Sequence, residues 1–153
     1  HRRRAVDRRH LRPDARVRQA MYEKPLPAID VESAPFWQAA REHRLAIMQC
    51  RLCDRHFFYP RALCPHCHSS LVDWTKASGR GTIYSFTIAR RPAGAAFKPD
   101  VPYVVALVEL EEGPRLMTNI VTSNVDSVRI GQKVTAVFDD VTPEVTLVKF
   151  KPI

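Results

Sequence analysis

From residue 82 onward, apolar side chains fall in short runs of strand length separated by turn residues, so the pattern predicts β structure. Residues 82–89 carry Ile83, Tyr84, Phe86 and Ile88. Residues 103–110 read as a near-continuous apolar strand. Residues 115–121, 133–141 and 145–150 supply three more. Turn chemistry divides them: residues 79–81 before the first, Glu111-Glu112-Gly113-Pro114 as a hairpin, and Thr142-Pro143-Glu144 as another. A long loop, residues 90–102, holds Pro92, Gly94, Pro99 and Pro102, and a connector over 122–132 has room for one helical turn. Strand, long loop, hairpin, connector and hairpin suit a five-stranded Greek-key barrel of the OB type; the span is short for a β-sandwich.

Upstream the period changes. Residues 22–32 contain Pro25 and Pro27 and should be extended. Ser33 is placed to cap a helix with Pro35 in its first turn, running to about His43. Phe36, Trp37 and Ala40 share one face, a small apolar stripe that either packs on the barrel or docks on a partner. Residues 44–49 alternate and residues 56–59 are aromatic, so each reads as a strand, the second ended by Pro60.

Charge changes the picture less than its total suggests. The chain has 153 residues, a net charge of +8 and a pI of about 9.7. Residues 1–20 carry eight arginines against two aspartates, whereas the remaining 133 residues hold 16 basic and 14 acidic side chains, a net +2. Basicity therefore belongs to an arm, expected to be a disordered linker, with Met21 a sensible start for the domain sequence. The nearly neutral remainder argues against a nucleic-acid interface. No signal peptide and no apolar run of bilayer length is present, so a cytoplasmic location and no membrane contact are expected.

All four cysteines lie in the pattern Cys50-x2-Cys53-x10-Cys64-x2-Cys67. Each C-x-x-C can turn two sulfurs toward one centre, and two such knuckles complete a thiolate tetrahedron, the signature of a rubredoxin-like ribbon; such a site admits zinc or a single iron, and structural zinc is expected because nothing else in the sequence suggests electron transfer. Four protein ligands leave no open coordination position. His56, His66 and His68 lie nearby but are not needed as ligands. The chain thus divides into the arm (1–20), an extended segment and helix (21–45), the zinc ribbon (46–73) and the barrel (74–153).

No nucleophile elbow, P-loop, dinucleotide fingerprint or zincin helix occurs, and the metal claims every thiol. Asp139-Asp140 and Glu109, Glu111 and Glu112 read as solvated strand ends and turn. The 90–102 loop joins the first two barrel strands, where OB folds place ligands. It offers Arg90, Arg91 and Lys98 beside Phe97, cations suited to phosphate.

In order along the chain come Pro35-Phe36-Trp37, Cys50-Arg51-Leu52-Cys53, Tyr59-Pro60-Arg61 and Cys64-Pro65-His66-Cys67. Then follow Gly79-Arg80-Gly81-Thr82-Ile83-Tyr84-Ser85-Phe86-Thr87, Pro102-Tyr103 and Val128-Arg129-Ile130-Gly131. Carrying these motifs, residues 35–153 resemble the zinc-ribbon/OB-fold proteins long catalogued as a domain of unknown function and associated with thiolase-like enzymes. The chain departs from them at Asp54, where Gly is common, and at Tyr59-Pro60, where many have two prolines. The resemblance implies a non-catalytic subunit that binds or channels acyl-CoA for a thiolase-like partner in a hetero-oligomer. That partner is a thiolase, a related synthase or a steroid side-chain aldolase of lipid degradation, the last supported by the C-terminal part of a hydratase subunit. It also implies that the barrel and helix, through Phe36 and Trp37, contact the partner while the 90–102 loop approaches its active site. The alternative is a nucleic-acid-binding ribbon and barrel.

Overall fold

The computed structural model describes residues 22–153; the basic arm and Met21 lie outside the described residues. The first element among the described residues is helix α1 (Ala34–Arg41). It begins directly after Ser33, as expected, but the Ser33 side chain makes no capping bond to the helix. It turns back instead: Asp30 Oδ1 accepts the Ser33 N–H at 2.7 Å, and Ser33 Oγ accepts the Asp30 N–H at 3.3 Å, a reciprocal pair that braces the turn before the helix. The helix stops at Arg41 because His43 turns left-handed (φ 58°). That lets the His43 N–H reach Ala40 O and the Arg44 N–H reach Ala39 O, both at 2.9 Å.

Three short strands follow: β1 (Ala46–Cys50), β2 (His56–Phe57) and β3 (Val72–Lys76). They form an antiparallel sheet in the order β2-β1-β3, with Met48 opposite Phe57 on one side and Trp74 on the other. The aromatic strand expected over 56–59 is only two residues long, and β3 begins before the expected change to β pattern at Trp74.

The barrel comprises β4 (Arg80–Ala89), β5 (Tyr103–Leu110), β6 (Arg115–Ile120), β7 (Lys133–Asp140) and β8 (Thr146–Pro152). These close in the order β4-β5-β6-β8-β7, so the described residues are mainly β, with one α-helix, a ribbon and a five-stranded barrel. β5 shows why its run is nearly all apolar. Val104, Ala106, Val108 and Leu110 point inward and are buried, while Tyr103, Val105 and Leu107 cover the outside half-buried. Residues 79–81 are not simply a turn. Gly79 is left-handed (φ 78°), but Arg80 and Gly81 already pair in β4, where a Cβ on Gly81 would meet Glu109 O at 2.6 Å. A register shift between Ile83 and Ser85 bends β4 around the barrel and leaves Tyr84 exposed.

The long loop contains a 3₁₀ segment (Ala95–Asp100), and the connector contains the expected single turn (Val125–Ser127), capped where Asn124 Oδ1 accepts the Asp126 N–H. The ribbon has its own small cluster of Met48, Cys50, Phe57 and Cys64, but its entry strand also joins the barrel core. Leu45 and Ile47, at and just inside β1, pack with Ile83, Val104, Val134 and Phe150.

Candidate metal centre and the surfaces around it

The two cysteine pairs sit in backbone loops of the same construction. In the first, the Cys50 N–H donates to Arg55 O and the Asp54 N–H donates to Cys50 O. In the second, the Cys64 N–H donates to Ser69 O and the His68 N–H donates to Cys64 O. All four bonds are 2.9 Å. Both loops turn at a left-handed residue just after the second cysteine, Asp54 (φ 65°) and His68 (φ 63°). Asp54 therefore takes the conformation that glycine supplies more cheaply, and Gln49 Nε2 donates to its carboxylate at 3.0 Å.

β1 delivers the first knuckle and the 58–63 segment turns the second to face it. The four Sγ atoms lie within 4.8 Å of one another, with Cys50 to Cys67 at 3.6 Å and Cys53 to Cys64 at 3.7 Å. A zinc ion about 2.3 Å from each of four sulfurs spaces them roughly 3.8 Å apart, whereas a disulfide needs about 2.05 Å. The donor set and spacing fit zinc. Cys50 and Cys64 are buried, and the second cysteine of each pair lies nearer the surface.

Protonation points the same way. The backbone N–H of Cys53, then that of Leu52, favour the Cys50 thiolate and bring it down to about 7. At Cys67 the Ser69 N–H favours the thiolate, yet loss of solvent and the bonds to the neighbouring thiols push it up to about 12. One proton leaves this cluster readily and the last resists, because four thiolates repel one another until a divalent cation stands among them. A zinc ion held by Cys50, Cys53, Cys64 and Cys67 would supply a fixed cross-link between the knuckles, its four positions all taken by protein. The three nearby histidines stand outside the cluster; His66 Nδ1 lies 3.4 Å from Arg55 Nη1.

The other sequence-selected residues are dispersed. Phe36 packs against the shared core and Phe58, and Trp37 is half-buried beside it. In the long loop, Arg90 pairs with Asp126 at 2.8 Å, tying the loop to the connector. Phe97 faces Tyr103 and lies beneath Lys24, which also pairs with Asp100. Arg91 and Lys98 are exposed with no ion pair among the described residues. The acidic residues are not simply solvated. Asp139 pairs with Lys149, Asp140 with His43 and Thr146, Glu109 with Arg115, Glu111 with Arg80, and Glu112 accepts from Ser78.

Sequence reasoning missed the aromatic cover formed by Phe58 and Tyr59 against α1. The signal was there: Phe57-Phe58-Tyr59 is more aromatic surface than a ribbon this short can bury on its own.

Residues 37–73 match the family described as ChsH2, rubredoxin-like zinc ribbon domain, and residues 74–139 match ChsH2, C-terminal OB-fold domain. The chain is similar to a probable enoyl-CoA hydratase alpha subunit of Thermomonospora curvata, 42% identical over 129 residues, 84% of this chain and 40% of that protein. It is 39% identical over 105 residues to a DUF35 domain-containing scaffold protein of Methanothermobacter thermautotrophicus, covering 68% of this chain and 78% of the relative. It is 32% identical over 143 residues to the 3-oxo-4,17-pregnadiene-20-carboxyl-CoA hydratase alpha subunit of Mycobacterium tuberculosis, 93% of this chain and 42% of that one. The chain thus spans about two fifths of either hydratase subunit. Among solved structures, an Ltp2-ChsH2(DUF35) aldolase matches with a TM-score of 0.74 and 42% identity, over 83% of this chain and 98% of the matched chain.

Proposed function

The chain belongs to the DUF35 family, with the zinc-ribbon and OB-fold domains of ChsH2, and on that premise we propose that it is a non-catalytic accessory subunit of a thiolase-like enzyme acting on acyl-CoA. The observation that carries the reading is its likeness to nearly the whole of a chain solved as part of an Ltp2-ChsH2(DUF35) aldolase. That likeness favours a steroid side-chain retro-aldolase as the partner, in the cytoplasm; the hydratase relatives' names are consistent with a CoA thioester as the shared substrate.

The division of labour follows from the residues. Zinc and the shared core make a rigid body, and a rigid body positions other groups without reacting itself. On this reading Trp37 and the outer barrel face dock the partner. The exposed Arg91 and Lys98, on the loop braced by the Arg90–Asp126 pair, approach the CoA phosphates. No helix among the described residues is long and apolar enough to cross a membrane.

The test is affinity capture of the tagged chain, residues 21–153, from its own host. A thiolase-like protein should come down in fixed ratio and be lost with Trp37→Glu. Capture of nucleic acid instead, in a salt-dependent way, would reverse the reading.

A further inference from the structure

The barrel closes weakly along one line. β6 and β8 run parallel and share a single paired position, Ile120 with Phe150. Beyond it the Thr118 hydroxyl donates across to Val148 O at 3.0 Å. There the strands part, and the gap opens into a cavity of about 300 Å³ lined by Met117 and Leu147. Trp37, Phe36, Phe58 and Tyr59, in that order, roof it as a chain of touching rings, with successive centroids 5.0, 5.4 and 4.5 Å apart. A second cavity of about 480 Å³ shares Met117, Asn119 and Leu147 with the first and runs on to Phe97 and Tyr103, so one groove crosses the seam.

Two features define what fits. The lysines on its walls are neutralised, Lys149 by Asp139 and Lys24 by Asp100, and the Asn119 amide donates to Val104 O. An added peptide strand is disfavoured, because the Met117 N–H already bonds Tyr59 and Val148 O already bonds Thr118. The Tyr59 hydroxyl accepts that N–H at 3.3 Å, so its own hydrogen remains to donate.

We propose that this groove binds an elongated, neutral, apolar molecule carrying a carbonyl or hydroxyl oxygen, with its body on the Met117–Leu147 seam and its oxygen on Tyr59. Concave apolar lining with one placed polar group is the usual form of a small-molecule site. The roof includes Trp37, which the proposed function places at the partner interface, so the inference concerns the chain without its partner and is tested at Met117, Leu147 and Tyr59.

The probe is 6-propionyl-2-(dimethylamino)naphthalene, a neutral ketone whose emission moves to the blue in apolar surroundings, titrated into the full zinc-loaded chain. Saturable one-to-one binding is expected, displaced by 2-dodecanone and not by dodecanoate. Leu147→Trp and Met117→Trp each fill the seam and should abolish it. Met117 is 64% exposed, so its replacement leaves the core intact, as circular dichroism and zinc content will show. Tyr59→Phe should weaken binding about fivefold, one hydrogen bond's worth. Non-saturable binding, or binding retained by both tryptophan variants, overturns the site. Equal affinity in Tyr59→Phe overturns the oxygen's placement.

Discussion

At Asp54 and His68 the knuckles turn through left-handed backbone, and every ligand's position depends on those turns. A side chain there costs about 1 kcal/mol relative to glycine. His68 is exposed and its ring makes no hydrogen bond among the described residues, so His68→Gly should stabilise by up to about 1 kcal/mol, read as a higher Tm. The same change at Asp54 should gain less, because it loses the Gln49 contact. Cys64→Ser should remove bound zinc, about one per chain by atomic emission, and lower the Tm sharply; unchanged melting with stoichiometric zinc would contradict the ligand set. The ligands were legible in the sequence because knuckle chemistry is local: the two C-x-x-C spacings specify it without knowledge of the fold. Tyr59 was not legible, because its role comes from Met117, distant in sequence and joined only by folding.

Among the elements, β4 carries the tightest constraint. It pairs with β5 and β7 at once, and at Gly81 the β5 backbone leaves no room for a methyl group. Gly81→Ala should cost about 1–3 kcal/mol as overpacking, measured by denaturant unfolding. The strand-length apolar runs of β4 to β8 and the turns between them announced five strands and an OB-type barrel; their neighbour order came only from the fold. β3 was hidden: Val72 and Trp74 are only half-buried, Asp73 interrupts them, and pairing with β1 rather than burial makes the strand. The α1 start after Ser33 was legible, but the partner of the Ser33 side chain was not. Ser33 is a good cap residue by composition, but Asp30 lies where the N–H groups point.

Across the whole molecule, ribbon and barrel stand or fall together to the extent that Leu45 and Ile47 belong to the barrel core. Structural zinc contributes on the order of 10 kcal/mol of apparent binding energy in modules of this kind. A strong chelator should therefore melt the ribbon and loosen the barrel's contact with β1. Acid should act in the same direction. Zinc binding displaces protons from the thiols, so lowering the pH returns them and drives zinc off. Zinc release, followed with a chromogenic chelator, should precede loss of barrel circular dichroism as pH falls; barrel loss first would contradict a metal-pinned ribbon. The seam between β6 and β8 belongs to this scale too, since no single strand's pattern reveals how a barrel closes. On the proposed function this chain supports chemistry performed by another protein. The decisive measurement is the rate of acyl-CoA aldol cleavage or thiolysis by the chain alone, by the captured partner alone and by the two together. No turnover is expected from the chain, little from the partner and full activity from the pair. Turnover by the zinc-loaded chain alone would overturn the accessory role.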